Sequence, residues 1–110
     1  MTTLDKIEQK KNVISQYCRN NGISYLGVFG SVARGEESKS SDIDFVVDLD
    51  SGKSLLQFAK IKLDFERMFS KGVDLAIRKN LKNRIKKQII SDTKEIFNES
   101  EIGISKVSCQ

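Results

Sequence analysis

The sequence predicts an α/β (α+β) domain in which a single small mixed β-sheet is packed with helices. Three observations lead there. Short apolar runs of strand length, Ile23–Phe29, Ile43–Leu49 and Val73–Ile77, alternate with stretches whose apolar residues recur at helical spacing. Some connections, such as the one after Phe29, are too short for a full crossover, so the sheet cannot be wholly parallel. The 110 residues suit one hydrophobic core and no more.

The elements follow in order. Leu4, Ile7, Ile14, Tyr17 and Cys18 predict one helix over Thr3–Asn21, with Thr2 and Asp5 as an N-terminal cap. Asn20-Asn21-Gly22 ends it, because Asn and Gly tolerate left-handed backbone. After the first strand, Ser31–Arg34 forms a helical turn closed by Gly35, and Glu36–Ser41 is a polar loop. Asp50-Ser51-Gly52 is a turn after the second strand, and Ser51 or Gly52 can start the next helix. That helix, about Ser54–Phe69, carries a face of Leu55, Phe58, Ala59, Lys62, Phe65, Met68 and Phe69. Ser70-Lys71-Gly72 stops it. The third strand is expected to be largely buried, apolar except for Asp74. Asn83–Ser91 reads as a helix with Ile85, Ile89 and Ile90, and Lys94–Asn98 as a short edge strand. Residues 1–98 make the domain, and 99–110 a weakly patterned tail expected to be poorly ordered. There is no internal repeat.

Composition removes several chemistries. With no His, triads built on His, HExxH zinc sites and His general bases are excluded. Two cysteines, Cys18 and Cys109, are too few for a four-cysteine zinc site and read as free thiols of a reduced, cytoplasmic compartment. No apolar run reaches the roughly 20 residues that span a bilayer, and the N-terminus lacks a signal pattern. The net charge of +4 is compatible with nucleotides, nucleic acid or an acidic protein and selects none of them.

Three aspartates stand out. Asp42 and Asp44 flank Ile43, so on a strand their carboxylates share a face. Asp74 interrupts an apolar run, and an ionised carboxylate in such a strand needs a positive counterpart. If its strand neighbours that of Asp42 and Asp44, three carboxylates converge, and their repulsion calls for cations. Hard oxygen donors without His or Cys point to Mg²⁺ or Mn²⁺. The competing reading has Asp42 capping the loop and Asp44 facing solvent. Gly30-Ser31 follows a strand directly and opens a helical turn. Such a turn lets a phosphate approach the backbone, with the Ser31 hydroxyl as a further donor. Taken alone it is equally an ordinary turn with Ser31 as cap.

The combination is more specific than its parts. Gly30-Ser31-Val32-Ala33-Arg34-Gly35, the polar loop, then Ser41-Asp42-Ile43-Asp44 closely resembles the signature of the DNA polymerase beta-like nucleotidyltransferase superfamily. Within it, the match is to the minimal nucleotidyltransferases, whose members often act as antitoxins beside a HEPN-domain toxin. Val73-Asp74-Leu75 matches the family's third carboxylate, and the resemblance covers roughly residues 23–98.

The resemblance implies a palm-like nucleotidyltransferase fold and a metal-dependent transfer of AMP from ATP to an acceptor hydroxyl. It implies that Asp42 and Asp44 bind two Mg²⁺ ions and that Asp74 completes the site that activates the acceptor. It also implies that Gly30 and Ser31 hold the triphosphate, and that the acceptor is a tyrosine of a cognate HEPN toxin. Two cations about 3.5–4 Å apart can clamp the attacking and leaving oxygens of an in-line displacement. Without His, Asp74 or bulk water must take the acceptor's proton. Arg34 has two readings, a phosphate contact or an ion pair with Glu36, Glu37 or another loop carboxylate.

Arg78, Lys79, Lys82, Arg84, Lys86, Lys87 and Lys94 crowd the C-terminal third, against Asp92. They form a solvated helix face, an RNA-binding surface or a dock for an acidic partner. No aromatic is interleaved, which disfavours base stacking and makes nucleic acid an unlikely specific ligand. Three hypotheses therefore stand: an active nucleotidyltransferase, an antitoxin that works by occlusion alone, and a nucleic-acid-binding domain. A carboxylate kept in a buried strand favours the first over the second.

Overall fold

The computed structural model describes residues 2–50 and 54–99. Its order is α1 (Thr3–Gln9), α2 (Lys11–Asn20), β1 (Ile23–Phe29), α3 (Gly30–Arg34), β2 (Ile43–Leu49), α4 (Leu55–Phe69), β3 (Val73–Ile77), a 3₁₀ turn (Arg78–Asn80), α5 (Asn83–Asp92) and β4 (Lys94–Asn98). The four strands form one sheet in the order β3-β2-β1-β4. β1 runs antiparallel to β2 and β4, whereas β2 and β3 are parallel. The mixed sheet expected from the short connection after Phe29 is present, and α4 makes the crossover that a parallel pair requires.

One face of the sheet carries the core. Leu26 and Val28 of β1 and Ile43, Phe45 and Val47 of β2 cluster with Ile7, Ile14 and Cys18 from the first two helices. Ile61, Phe65 and Phe69 bring in α4. The ring of Phe45 lies 5.1 Å from that of Phe65 and 6.0 Å from that of Phe69, and Tyr17 stands 5.3 Å from Phe65. These spacings are within the range where aromatic pairs attract beyond their buried area. Alternation along the strands sends Tyr25, Asp44, Val46 and Asp48 to the opposite face.

Helix starts follow local chemistry. The Thr2–Asp5 capping box forms in both directions, with Asp5 N–H donating to Thr2 Oγ1 at 3.1 Å and Thr2 N–H to Asp5 Oδ2 at 3.0 Å. α4 has the same device, Gln57 N–H donating to Ser54 Oγ at 3.2 Å. Gly22 (φ 71°) and Gly35 (φ 73°) adopt the left-handed backbone that ends a helix, and Ser70 does so at φ 52°.

Three expectations need correcting. The first helix is two, broken at Lys10 (φ −96°, ψ 10°), with Ile7 and Ile14 buried on either side of the break. The buried stripe of α4 is Ile61, Phe65 and Phe69, whereas Leu55 is 84% exposed and Ala59 lies outside. β3 is an edge strand with only β2 beside it, so Asp74 is exposed rather than buried. The helix expected at Asn83–Ser91 is present as α5, and it buries none of its residues. The expected start of the α4 helix at Ser51 or Gly52, the tail after Ser100 and Cys109 lie outside the described residues. Among the described residues, no helix is long and apolar enough to cross a membrane.

Candidate active site

Strand register brings the carboxylates together. Asp44 pairs with Asp74 across the parallel β2–β3 ladder, and Asp42 precedes Asp44 by two residues, one full pleat period. Asp42 stands where the polar loop meets the sheet. Glu37 anchors that loop, accepting from Thr3 N–H at 2.9 Å and from the Thr3 hydroxyl, with Lys71 Nζ 3.9 Å away. Ile43 N–H donates to Gly72 O at 2.9 Å, which aligns the starts of β2 and β3.

Two glycines make room for two of the carboxylates. A Cβ on Gly30, whose φ is +73°, would collide with Asp44 Oδ2. A Cβ on Gly72 would collide with Asp42 Oδ1. Gly30 is therefore required twice, by its backbone conformation and by the side chain lying against it. It also begins α3, whose first-turn amides have no carbonyl partner within the helix. Asp44 thus sits beside a turn suited to phosphate, and Ser31 is half-buried in that turn.

The electrostatics record the crowding. Burial holds the Asp44 carboxyl above its ordinary range, and so do the charge of Asp74, a hydrogen bond shared with Asp74 and the charge of Asp42. Arg34 pulls the other way. Arg34 pairs with Glu36 Oε2 at 3.4 Å and with Asp92 Oδ2 at 3.2 Å, which ties α3 to α5. The ion-pair reading of Arg34 is therefore realised, and its charge still reaches Asp44.

The donor set fits a hard divalent cation. All three groups are carboxylates, and the like charge that raises Asp44 is what a cation would relieve. The convergence is partial, however. Among the described residues, no three acidic or thiol side chains stand ready to share one ion. Asp44 and Asp74 form the close pair, while Asp42 leans on Gly72 and is exposed, so its carboxylate can turn about χ1 at little cost.

Sequence reasoning missed a second cluster on the same face. Asp48 is 2% exposed, and its Oδ2 accepts from Arg78 Nε at 2.7 Å. The Arg78 guanidinium also lies 3.8 Å from the centroid of Tyr25. Asp48 Oδ1 is buried without a hydrogen-bond partner. The available signal was period two: Asp42, Asp44 and Asp48 share one parity on one strand. Gly72 was likewise read only as a helix stop.

Comparison with known proteins agrees with this geometry. Residues 12–102 match the family described as Polymerase beta, Nucleotidyltransferase. Protein adenylyltransferase MntA of Thermococcus cleftensis is 34% identical over 84% of this chain and 94% of its own length. A solved structure of a candidate minimal nucleotidyltransferase superposes with a TM-score of 0.75 at 31% identity, covering 86% of this chain and 95% of that one. The same fold, at 16% identity and a TM-score of 0.64, is found in the tri-AMPylated Shewanella oneidensis HEPN toxin in complex with MNT antitoxin; 88% of this chain and 76% of that chain are covered.

Proposed function

The chain belongs to the polymerase beta nucleotidyltransferase family, and on that premise we propose that it is a metal-dependent protein adenylyltransferase. It moves AMP from ATP onto a hydroxyl, a tyrosine of a HEPN-domain toxin, and thereby acts as the antitoxin. The observation that carries this reading is the Asp44–Asp74 register pair beside the Gly30 turn. The relative at 34% identity is named as a protein adenylyltransferase, and the complex of the same fold holds an AMPylated HEPN toxin.

The roles divide by position. Asp42 and Asp44 hold the divalent cations, two Mg²⁺ or Mn²⁺. Bound there, such cations would offset the charge of the carboxylates and the triphosphate and supply Lewis acidity. Gly30 and Ser31 cradle the triphosphate through backbone amides and the Ser31 hydroxyl. Asp74, exposed on the edge strand, faces the acceptor and takes the proton from its hydroxyl. The acceptor oxygen forms a bond to the α-phosphorus as the bond to the β-phosphate oxygen breaks, and pyrophosphate leaves. Added AMP then places negative charge and bulk on the toxin, which opposes RNA entry.

Co-expression with a HEPN-domain toxin, the partner proposed here, tests the reading. Intact mass should show the toxin carrying one or more AMP units. Asp42→Ala with Asp44→Ala should leave it unmodified and restore toxicity. Protection by the double variant without any mass change would replace transfer with occlusion.

A further inference from the structure

We propose that the exposed face of α5 is the dock for the acceptor protein, and that it takes an apolar patch ringed by acidic residues. The docking face presupposes a protein acceptor, as in the function proposed above. Helix α5 buries none of its ten residues, which is unusual for an element between two strand-forming segments. Ile85 is 49% exposed and Ile90 47%. Around them stand Lys82, Arg84, Lys86 and Lys87, and among the described residues no acidic side chain forms an ion pair with these four. A groove of about 490 Å³ runs along the helix, with Lys86, Lys87 and Ile90 in its wall.

Both the chemistry and the position favour a protein. Ile90, on one helix face with Lys86 and Lys87, matches an apolar centre with an acidic rim, the usual division of a protein interface. A single-stranded RNA site that stacks bases would call for exposed aromatic rings, and α5 has no aromatic residue. The helix also reaches the catalytic side. Its last residue, Asp92, holds Arg34 at 3.2 Å, and the charge of Arg34 bears on Asp44. A protein seated on α5 is therefore placed beside the carboxylates that would modify it. Its negative rim would be steered there from solution.

The experiment separates docking from transfer. Binding of a HEPN-domain toxin, the acceptor proposed above, is measured by calorimetry without nucleotide and with EDTA. Three forms are compared: the full chain, the triple variant Lys82→Glu, Lys86→Glu and Lys87→Glu, and a control on the exposed side of α4, Leu56→Gln. The docking face predicts that the triple variant binds about tenfold or more weakly, that the control binds as the unaltered chain does, and that affinity falls with salt. Ile90→Asp, which leaves the lysines in place, should weaken binding as well. Circular dichroism of each variant checks that it is folded. In the transfer assay the triple variant should raise the acceptor KM while the KM for ATP is unchanged. Binding of the triple variant equal to that of the unaltered chain overturns the dock, as does a loss confined to Leu56→Gln. Loss of single-stranded RNA binding in the triple variant with toxin binding intact overturns it in favour of RNA. Binding without any AMP transfer, still lost in the triple variant, leaves the dock standing and sinks the enzymatic reading.

Discussion

Asp44 on β2 stands directly opposite Asp74 on β3, two carboxylates held in register by a parallel pair of strands. Asp44 is half-buried and Asp74 is exposed. Asp74 occupies the open edge, and Asp44 lies one strand in.

Replacing Asp74 should therefore leave the fold intact. Asp74→Asn keeps the shape of an exposed side chain, so stability should move by no more than about 0.5 kcal/mol. AMP transfer should fall by about a hundredfold or more if Asp74 takes the acceptor's proton as proposed, because the group loses both its charge and its basicity. Single-turnover rates with labelled ATP measure this. A rate within a few fold of the unaltered chain would make Asp74 a strand residue only.

The raised Asp44 carboxyl gives the metal-free protein a definite pH dependence. Folded Asp44 keeps its proton to higher pH than the unfolded chain does. The folded state therefore binds more protons between the ordinary carboxylate value and the raised one. Its contribution to stability is complete below the ordinary value and is lost as pH rises through the raised value. Thermal midpoints in EDTA should decline across that window, and Asp44→Asn should flatten the decline. Adding Mg²⁺ at neutral pH should stabilise the unaltered chain and leave Asp42→Ala with Asp44→Ala unmoved.

The two cradle glycines should respond differently to alanine. Gly30→Ala adds a Cβ in left-handed backbone against Asp44, so it should cost about 1 kcal/mol or more and abolish transfer. Gly72→Ala meets only the flexible end of Asp42. Its stability should change by less than about 1 kcal/mol, while transfer falls about tenfold or more because Asp42 is displaced. Urea midpoints and transfer rates, measured on the same samples, distinguish the two.

The Asp48–Arg78 pair should be costly to break and cheap to replace. Arg78→Met alone leaves a buried carboxylate with neither oxygen satisfied and should destabilise by about 3 kcal/mol. Adding Asp48→Leu removes the stranded charge and should recover most of that loss. Failure of the second change to rescue the urea midpoint would mean that the pair organises the end of β3 by more than charge.

Cys18 offers a probe of the core. It is fully buried, and burial pushes its thiol up to about 12. Iodoacetamide should leave Cys18 unmodified in the native protein and alkylate it on unfolding, as read from peptide masses. Rapid native labelling at Cys18 would contradict the packing of α2 on the sheet.

Much of this architecture could be read from local sequence. The bounds of β1, β2, β3 and β4, the Thr2 cap, the Gly35 stop and the mixed character of the sheet depend on period-two apolar runs, capping chemistry and connection length. Each acts over a few residues. The parity that puts Asp42 and Asp44 on one face is equally local. The sequence marks Lys94–Asn98 as an edge strand, and β4 is one; tertiary structure alone decided that β3 lies at the other edge, so Asp74, marked as buried, is exposed, and Asp44 is the partly buried carboxylate instead. It decided which side of α4 turned inward, since Leu55 and Ile61 have similar hydrophobicity and only the position of the sheet distinguishes them. It also brought Arg78 to Asp48, thirty residues away in sequence, and Gly72 to Asp42. Local pattern specifies how a segment is shaped and which residues share its face. What that face meets depends on strand order, which is settled by the whole core packing at once.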